Sequence, residues 1–240
     1  FDNGLPTVLD TFHGHNSRME AVWRAGRNYV GHDISKEFAR MTREIREILL
    51  AENSLFGSGA EIELHEMDSR DIDFPPVFDF CLTSPPFFDI EDYGPEAGQL
   101  GHNKLYQDFL YSLGIIVKNC FKALKPGAFI AWELNDFTKD GVFYPYHADG
   151  MHLFQQAGFI LHDMIIIDYG HGFLASFAQD IEALKRVSKE HSYLIIARRP
   201  SDSREKRQVV HKRLAEEVEE KKAAGLLEHQ PPAVPRGVER

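Results

Sequence analysis

The sequence predicts an α/β fold with a mostly parallel sheet of seven strands, helices on both faces and an antiparallel hairpin at one edge. Short apolar runs alternate with amphipathic segments of helical period, and repeated strand–helix–strand units place their strands parallel. A loop-rich insertion, Tyr169–Ser192, separates the last two strands, which can therefore pair as the hairpin. The seven predicted strands are Thr7–Asp10, Asn28–Asp33, Glu61–Met67, Val77–Thr83, Ala128–Leu134, Phe159–Asp168 and Tyr193–Ala197.

Local signals predict the four helices that connect these strands. Ser17 and Glu20 have the spacing of a capping box, and Gly26 is a typical stop for the first helix. Apolar residues recur at helical spacing from Phe38 to Leu49 in the second helix, and Lys125-Pro126-Gly127 ends the third. The predicted helices are Ser17–Ala25, Lys36–Ala51, Leu105–Leu124 and His147–Ala157.

Length and charge limit the possible functions. The 240 residues suffice for one domain with a sizeable core, and the net charge of −10 argues against a protein that coats nucleic acid through bulk positive charge. Residues 1–170 carry −13 and residues 171–240 carry +3, so any nucleic-acid contact is expected in the C-terminal third. Because the composition changes after Pro200, we expect a folded domain over 1–199 and a tail over 200–240 that is charged and helical, then Pro-rich and partly disordered.

Two cysteines exclude a disulfide scaffold and most structural zinc sites. Cys81 and Cys120 lie in apolar segments and are expected in the core of a protein from a reducing, cytoplasmic compartment. No metal site, membrane span or signal peptide is expected. The chain begins at Phe1 rather than Met, which leaves open a missing N-terminal segment or partner. The oligomeric state stays open.

Polar residues follow the first three predicted strands at the edge where open parallel sheets bind ligands. The turn after Asp10 leads into a helix N-terminus, whose backbone N–H groups can face a ligand. Asp33 closes the second strand and is placed to bind both hydroxyls of a ribose. Asp68 and Ser69 follow the third strand, where they can meet an adenine amino group.

The fourth strand runs into Thr83-Ser84-Pro85-Pro86-Phe87, and this motif carries a resemblance. The chain resembles the amino-methyltransferases that use S-adenosylmethionine to methylate exocyclic amino groups of nucleobases, whose catalytic motif is Asp, Asn or Ser, then Pro-Pro, then Tyr or Phe. Phe88–Gly94 is similar to the cytosine-N4 type of bacteria and phage. Further segments similar to family motifs are Val8–Gly14, Gly26–Ser35 and Phe121–Gly127.

The resemblance implies a Rossmann-like methyltransferase fold, S-adenosylmethionine as cofactor, DNA as substrate and a setting such as restriction–modification. The expected cofactor-binding residues are Asp10, Thr11, Phe12, His13, Gly14, Asp33, Ile34, Asp68, Ser69 and Ser84. The expected catalytic residues are Ser84, Pro85, Pro86 and Phe87. Target recognition is expected from the three loops Asp89–Asn103, Phe137–Asp149 and Tyr169–Ser192. Nucleic-acid contacts are expected from Phe88, Tyr93, Lys185, Arg186 and Lys189.

These residue types suit transfer to an amino group. The lone pair of a base amino group is delocalised into the ring, and acceptors for its two protons localise that pair. We expect the Ser84 hydroxyl and the Pro85 carbonyl to be these acceptors, since two prolines fix the backbone. Phe87 is expected to stack on a base extruded from the duplex.

The chain also departs from the family pattern. The first motif usually has Pro after its aspartate and a Gly-Ser-Gly-Thr run, whereas this chain has Thr11 and His13-Gly14-His15-Asn16. The segment that normally holds the methionine end of the cofactor is absent or reduced to Phe1–Pro6. Ser84 favours cytosine N4 as the target. Adenine-N6 methylation remains an alternative, as does a catalytically degraded methyltransferase that serves as a DNA- or partner-binding subunit.

Overall fold

The computed structural model describes residues 1–53, 59–170 and 190–202, together with residues 205 and 216. The strands of the described residues are β1 Thr7–Asp10, β2 Asn28–Asp33, β3 Ile62–Glu66, β4 Phe78–Thr83, β5 Leu124–Leu134, β6 Phe137–Lys139, β7 Val142–Tyr144, β8 Ile160–Asp168 and β9 His191–Arg198. Seven of them form one sheet in the order β3-β2-β1-β4-β5-β9-β8. Strands β1 to β5 pair in parallel, and β9 runs antiparallel to both β5 and β8, so the predicted fold is confirmed.

The helices are α1 Ser17–Arg24, α2 Lys36–Asn53, α3 Tyr106–Ala123 and α4 Tyr146–Ala157, with 3-10 turns at Ser69–Asp71 and Leu100–His102. They cover both faces of the sheet, because successive strand residues point to opposite sides and both sides are apolar. Val8 packs in an apolar cluster with Met19 of α1 and Leu49 of α2, whereas the next residue, Leu9, packs in a second cluster with Phe109 of α3.

The capping box predicted for the first helix is wrong. Asn16, not Ser17, occupies the cap position, and no side chain caps the helix. Ser17 is the first residue of the helix rather than the residue before it, so its hydroxyl is not placed to accept the free backbone N–H groups of the first turn. The Glu20 carboxylate instead accepts from Asn16 Nδ2 at 3.2 Å and from Arg24 Nε at 2.8 Å.

The predicted start of the fifth strand is also wrong. Strand β5 begins at Leu124 and includes the Lys125-Pro126-Gly127 run that was expected to separate helix from strand. The pairing with β4 is irregular beside this run, which is how a strand accommodates proline and glycine. Gly127 has a positive φ of 84° and donates its N–H to the carbonyl of Arg199 at 3.0 Å.

A small hairpin occupies part of a segment that was predicted as a loop. Strands β6 Phe137–Lys139 and β7 Val142–Tyr144 pair antiparallel across Asp140-Gly141, and both turn residues have positive φ. An Asp-Gly pair is a standard signal for a two-residue hairpin turn and was the available clue. The rings of Phe137 and Tyr144 stack at 5.0 Å between centroids.

Two predictions concern parts of the chain that the structure covers little or not at all. The division into a domain over 1–199 and a tail over 200–240 stays a prediction. The loop Tyr169–Ser192 lies mostly outside the described residues.

Within the described ranges, no helix is long and apolar enough to cross a membrane, and no group of three or more His, Cys, Asp or Glu side chains is arranged to hold a metal ion.

Candidate active site

A cavity of about 370 Å³ opens at the carboxyl ends of β1, β2 and β4. It contains most of the side chains that the sequence predicted for cofactor and catalysis. The predicted residues on its wall are Thr11, Phe12, Gly14, Asp33, Ile34, Asp68, Ser69, Ser84, Pro86, Phe87 and Tyr93. Asp10, His13, Pro85 and Phe88 are not on that wall. Lys185, Arg186 and Lys189 lie outside the described residues.

Asp10 lies behind the cavity wall, where its carboxylate is fully buried and fully engaged. Arg18 Nε lies 2.8 Å from Asp10 Oδ2, Tyr29 Oη donates to the same oxygen at 2.7 Å, and Thr83 Oγ1 donates to Oδ1 at 2.6 Å. Burial alone raises the pKa of Asp10, but Arg18 and the two hydroxyl donors outweigh it and lower that pKa below its usual value. Asp10 therefore does not line the cavity, as the sequence predicted, but holds Arg18 from behind the cavity wall.

His13 is likewise buried and pins the turn after β1. Its backbone N–H donates to the carbonyl of His32 at 3.0 Å, and its Nδ1 lies 3.0 Å from the carbonyl oxygen of Gly14. These contacts hold the turn against β2. The imidazole thus supports the cavity rather than lining it, which corrects its predicted place among the cofactor contacts.

Asp33 stands on the wall with its carboxylate oriented by the backbone. Gly14 N–H donates to Oδ2 at 2.9 Å, and Ser35 N–H donates to Oδ1 at 2.8 Å. Burial raises the pKa of Asp33, although His13 and these two N–H groups oppose that effect. Each oxygen has further lone pairs, so the carboxylate can accept from two neighbouring hydroxyl groups.

Asp68, Ile34 and Gly98 meet on another part of the wall. Asp68 caps the first 3-10 turn by accepting the backbone N–H of Arg70 at 2.9 Å, and it also pairs with the Arg70 guanidinium. Arg70 Nη2 donates in turn to the carbonyl of Gly98 at 3.0 Å. A Cβ on Gly98 would lie 2.4 Å from Ile34 Cδ1 and 2.8 Å from Asp68 Oδ2, so a larger residue here would displace the ends of these two side chains. No local signal in the sequence marked Gly98.

The Ser84-Pro85-Pro86-Phe87 motif forms the wall at the end of β4. Ser84 Oγ donates to the carbonyl of Glu133 on β5 at 3.3 Å. The carbonyl of Pro86 accepts from Tyr146 Oη at 3.1 Å, and the ring of Phe87 meets that of Tyr146 edge-on at 6.4 Å. Tyr146 is fully buried, so a rigid side chain of α4 supports this segment.

Phe88 and Tyr93, both expected to contact nucleic acid, have different environments. Phe88 has a positive φ of 53° and is buried against Phe109 and Phe137, which corrects its predicted contact with nucleic acid. Phe88 is buried because Phe137 and Tyr144 of the hairpin pack against it. Tyr93 is on the cavity wall and its hydroxyl donates to Glu91.

Sequence reasoning missed several wall residues, of which Arg18 is chemically the most informative. It is the one lysine or arginine on the wall among the described residues. The others that were missed include His15, Ser17, Phe38, Glu91, Gln99, Leu100 and Ile116. For Arg18 the available signal was its position in the first turn of the helix after Asp10.

Comparison with known proteins gives the family. A family model described as DNA methylase of the N6/N4 type matches residues 78–234, more than half of the chain. The chain belongs to this family. The Type II beta methyltransferase M.BslI of Bacillus sp. (strain NEB-606) is 29% identical over 131 residues, which cover 49% of this chain and 14% of that protein. The match thus spans a small part of that relative.

Solved structures share the fold at low sequence identity. A SAM-dependent methyltransferase from Methanosarcina mazei is 14% identical with a TM-score of 0.53, over 82% of this chain and 93% of that one. The [4+2]-cyclase SpnF is also 14% identical with a TM-score of 0.55, over 84% of this chain and 77% of that one. Since a cyclase shares the fold, the fold alone does not determine the reaction.

The family implies S-adenosylmethionine as the cofactor, and the cavity fits it. Its volume lies in the range of small-molecule sites. Thr11 lies on the wall, and its buried hydroxyl has no hydrogen-bond partner in the described structure, as expected where a ligand supplies one. Asp33 and Asp68 offer acceptors, and Ile34 offers an apolar surface.

Proposed function

We propose that this chain transfers a methyl group from S-adenosylmethionine to the exocyclic amino group of a base in DNA, with cytosine N4 favoured over adenine N6. One observation carries this proposal. Ser84, Pro86 and Phe87 line the same cavity as Asp33 and Asp68, so a catalytic motif for amino groups adjoins a site suited to an adenosine.

In this proposal Asp33 binds the ribose of the adenosine and Asp68 binds its adenine. Asp33 accepts from the two ribose hydroxyls, because its carboxylate is already fixed by Gly14 and Ser35 N–H groups. Asp68 accepts from the adenine amino group, and Ile34 packs on the purine. The close approach of Gly98 shapes this end of the cavity.

Ser84 acts as an acceptor rather than as a strong base. Its hydroxyl donates to the Glu133 carbonyl, so its lone pairs remain free to accept a proton of the base amino group. The Pro85 carbonyl accepts the second proton and Phe87 stacks on the base. The bound cofactor supplies a methyl group on a positively charged sulfur, which departs as a neutral thioether when the amino nitrogen attacks. The extra amino proton then leaves to solvent.

DNA contact is proposed for the loops around the cavity mouth and for the β6–β7 hairpin. Val142 and Phe143 are each 52% exposed at the end of this hairpin, whose base is packed against Phe88. Such apolar side chains suit insertion between bases. The basic residues beyond the described region are proposed to contact phosphates. Neutralising Lys185, Arg186 and Lys189 together should weaken DNA binding and flatten its salt dependence, and an unchanged salt slope would contradict that role.

The deciding experiment is incubation of the chain with DNA and methyl-labelled cofactor, followed by nucleoside analysis. Label in N4-methylcytidine supports the favoured target, and label in N6-methyladenosine supports the alternative. Absence of label together with no cofactor binding at millimolar concentration would contradict catalysis and favour a degraded methyltransferase that acts as a binding subunit. The altered run Thr11–Asn16 is the feature that favours this second candidate.

A further inference from the structure

Arg18 brings unused hydrogen-bond donors to the cavity. Its side chain is 24% exposed, its Nε is paired with Asp10, and its Nη2 donates to the carbonyl of Phe12. A guanidinium has five N–H donors, so three of them, including both on Nη1, have no partner among the described residues. A buried ion pair with spare donors on its exposed edge is suited to a second anion.

Asp10 does not cancel the attraction of Arg18 for another anion. The Asp10 carboxylate also accepts from Tyr29 Oη, from Thr83 Oγ1 and from the backbone N–H of Phe12. These donors spread its negative charge away from Arg18. The Glu133 carboxylate also interacts with Arg18, but it already accepts from Tyr169 Oη at 2.6 Å and from Ser192 Oγ at 2.8 Å. The charged side chains on the cavity wall besides Arg18 are Asp33, Asp68 and Glu91, all of which repel an anion. An anionic group of a ligand in this cavity therefore has one favourable place, at Arg18.

A second observation concerns the same part of the wall. Thr11 precedes Phe12, whose carbonyl holds Arg18, and the buried Thr11 hydroxyl has no partner. A buried hydroxyl that lacks a partner costs free energy unless a ligand or water satisfies it. Thr11 thus adds a neutral donor near the backbone that positions the cation.

We propose that Arg18, fixed by Asp10, binds the carboxylate at the amino-acid end of the cofactor, with the Thr11 hydroxyl as a second donor. This inference rests on the proposed function, which supplies the cofactor. The carboxylate is the one anionic group of S-adenosylmethionine, and a guanidinium binds it through two parallel hydrogen bonds. Arg18 and Thr11 would thereby perform the role that the altered turn after β1 leaves open.

Binding measurements with three natural compounds test the proposal without relying on turnover. By calorimetry, the wild-type chain should bind S-adenosylmethionine about 10- to 100-fold more tightly than decarboxylated S-adenosylmethionine, which lacks only the carboxylate. 5′-Methylthioadenosine reports on the adenosine half alone. Equal binding of the first two compounds overturns the proposal, whatever any variant does.

Variants of Arg18 test whether the preference for the compound with the carboxylate depends on this residue. In the double variant Asp10→Asn/Arg18→Met, which removes both buried charges, the preference should fall to within about threefold while 5′-methylthioadenosine binds as in the wild type. Arg18→Lys keeps a charge opposite Asp10 but lacks the planar fork, so its preference should fall severalfold. Arg24→Met, an exposed arginine of the same helix, should keep the wild-type preference.

The outcomes distinguish the proposed role of Arg18 from the proposed function of the chain. A carboxylate preference that is unchanged in Arg18→Lys or in the double variant overturns the role of Arg18 and leaves the proposed function intact. Failure of the wild-type chain to bind any of the three compounds contradicts the proposed function itself. A preference that disappears with Arg18 while the adenosine half still binds supports the proposal.

Discussion

Replacement of Ser84 by alanine should slow methyl transfer by about 10- to 100-fold without weakening cofactor binding. In the transition state the amino nitrogen gains positive charge, so the hydrogen bond that Ser84 accepts becomes charge-assisted and is worth about 1.5–3 kcal/mol. The structural cost is small by comparison. The bond from Ser84 Oγ to the Glu133 carbonyl is 3.3 Å long, beyond the usual range for hydroxyl donors, and its loss should lower the free energy of unfolding by less than about 1 kcal/mol.

The assay is single-turnover transfer at saturating DNA and cofactor, beside calorimetry with S-adenosylhomocysteine. Ser112→Ala is the matched control, because it removes an equally sized hydroxyl from a buried position on α3 that is not on the cavity wall. A rate in Ser84→Ala within about twofold of the wild type would refute the acceptor role. So would a loss of rate that is fully explained by weaker cofactor binding.

Three further predictions follow from the packing. Arg18→Met should lower the free energy of unfolding in urea by about 3–5 kcal/mol, whereas Asp10→Asn/Arg18→Met should recover much of that loss and the exposed Arg24→Met should cost less than about 1 kcal/mol. Because Arg18 holds the pKa of Asp10 low and burial alone raises it, the loss in Arg18→Met should be larger at pH 8 than at pH 5; equal losses would contradict the ion pair. Gly98→Val should weaken S-adenosylhomocysteine binding by about tenfold in calorimetry, since its side chain would enter the proposed adenine pocket, and unchanged affinity would refute that placement. Phe143→Ser should weaken binding to a duplex by about 1–3 kcal/mol in fluorescence anisotropy and leave cofactor affinity intact; an unchanged duplex affinity would remove the hairpin from the interface.

The sequence predicted the sheet well because its strands are short apolar runs, which the structure buries in β1 and β2 but leaves largely exposed in β8 at the edge. Local patterns failed where contacts between distant segments decide the conformation. Pro126 lies within a strand because a bulge beside β4 tolerates it, and Phe88 is buried because a hairpin some fifty residues later covers it. The residues at the strand ends predicted much of the cavity wall, whereas no sequence pattern predicted Arg18 there. Its role depends on which of its donors Asp10 uses, and that is visible only in three dimensions.

The acidic residues of the cofactor half need not oppose DNA, although residues 1–170 carry a net charge of −13. Asp10 is buried against Arg18, Asp33 is held by two backbone N–H groups, and Asp68 is paired with Arg70. Charges that are compensated within the fold contribute little to the field at the surface beyond about one Debye length, roughly 8 Å at physiological ionic strength. The helices do not carry the remaining negative charge, because the four acidic residues of α2 are matched by four basic ones, so this charge lies in loops and strands. These three compensated aspartates therefore contribute less to the field that a duplex meets than their number suggests, and salt-dependent binding should respond chiefly to cations near the mouth.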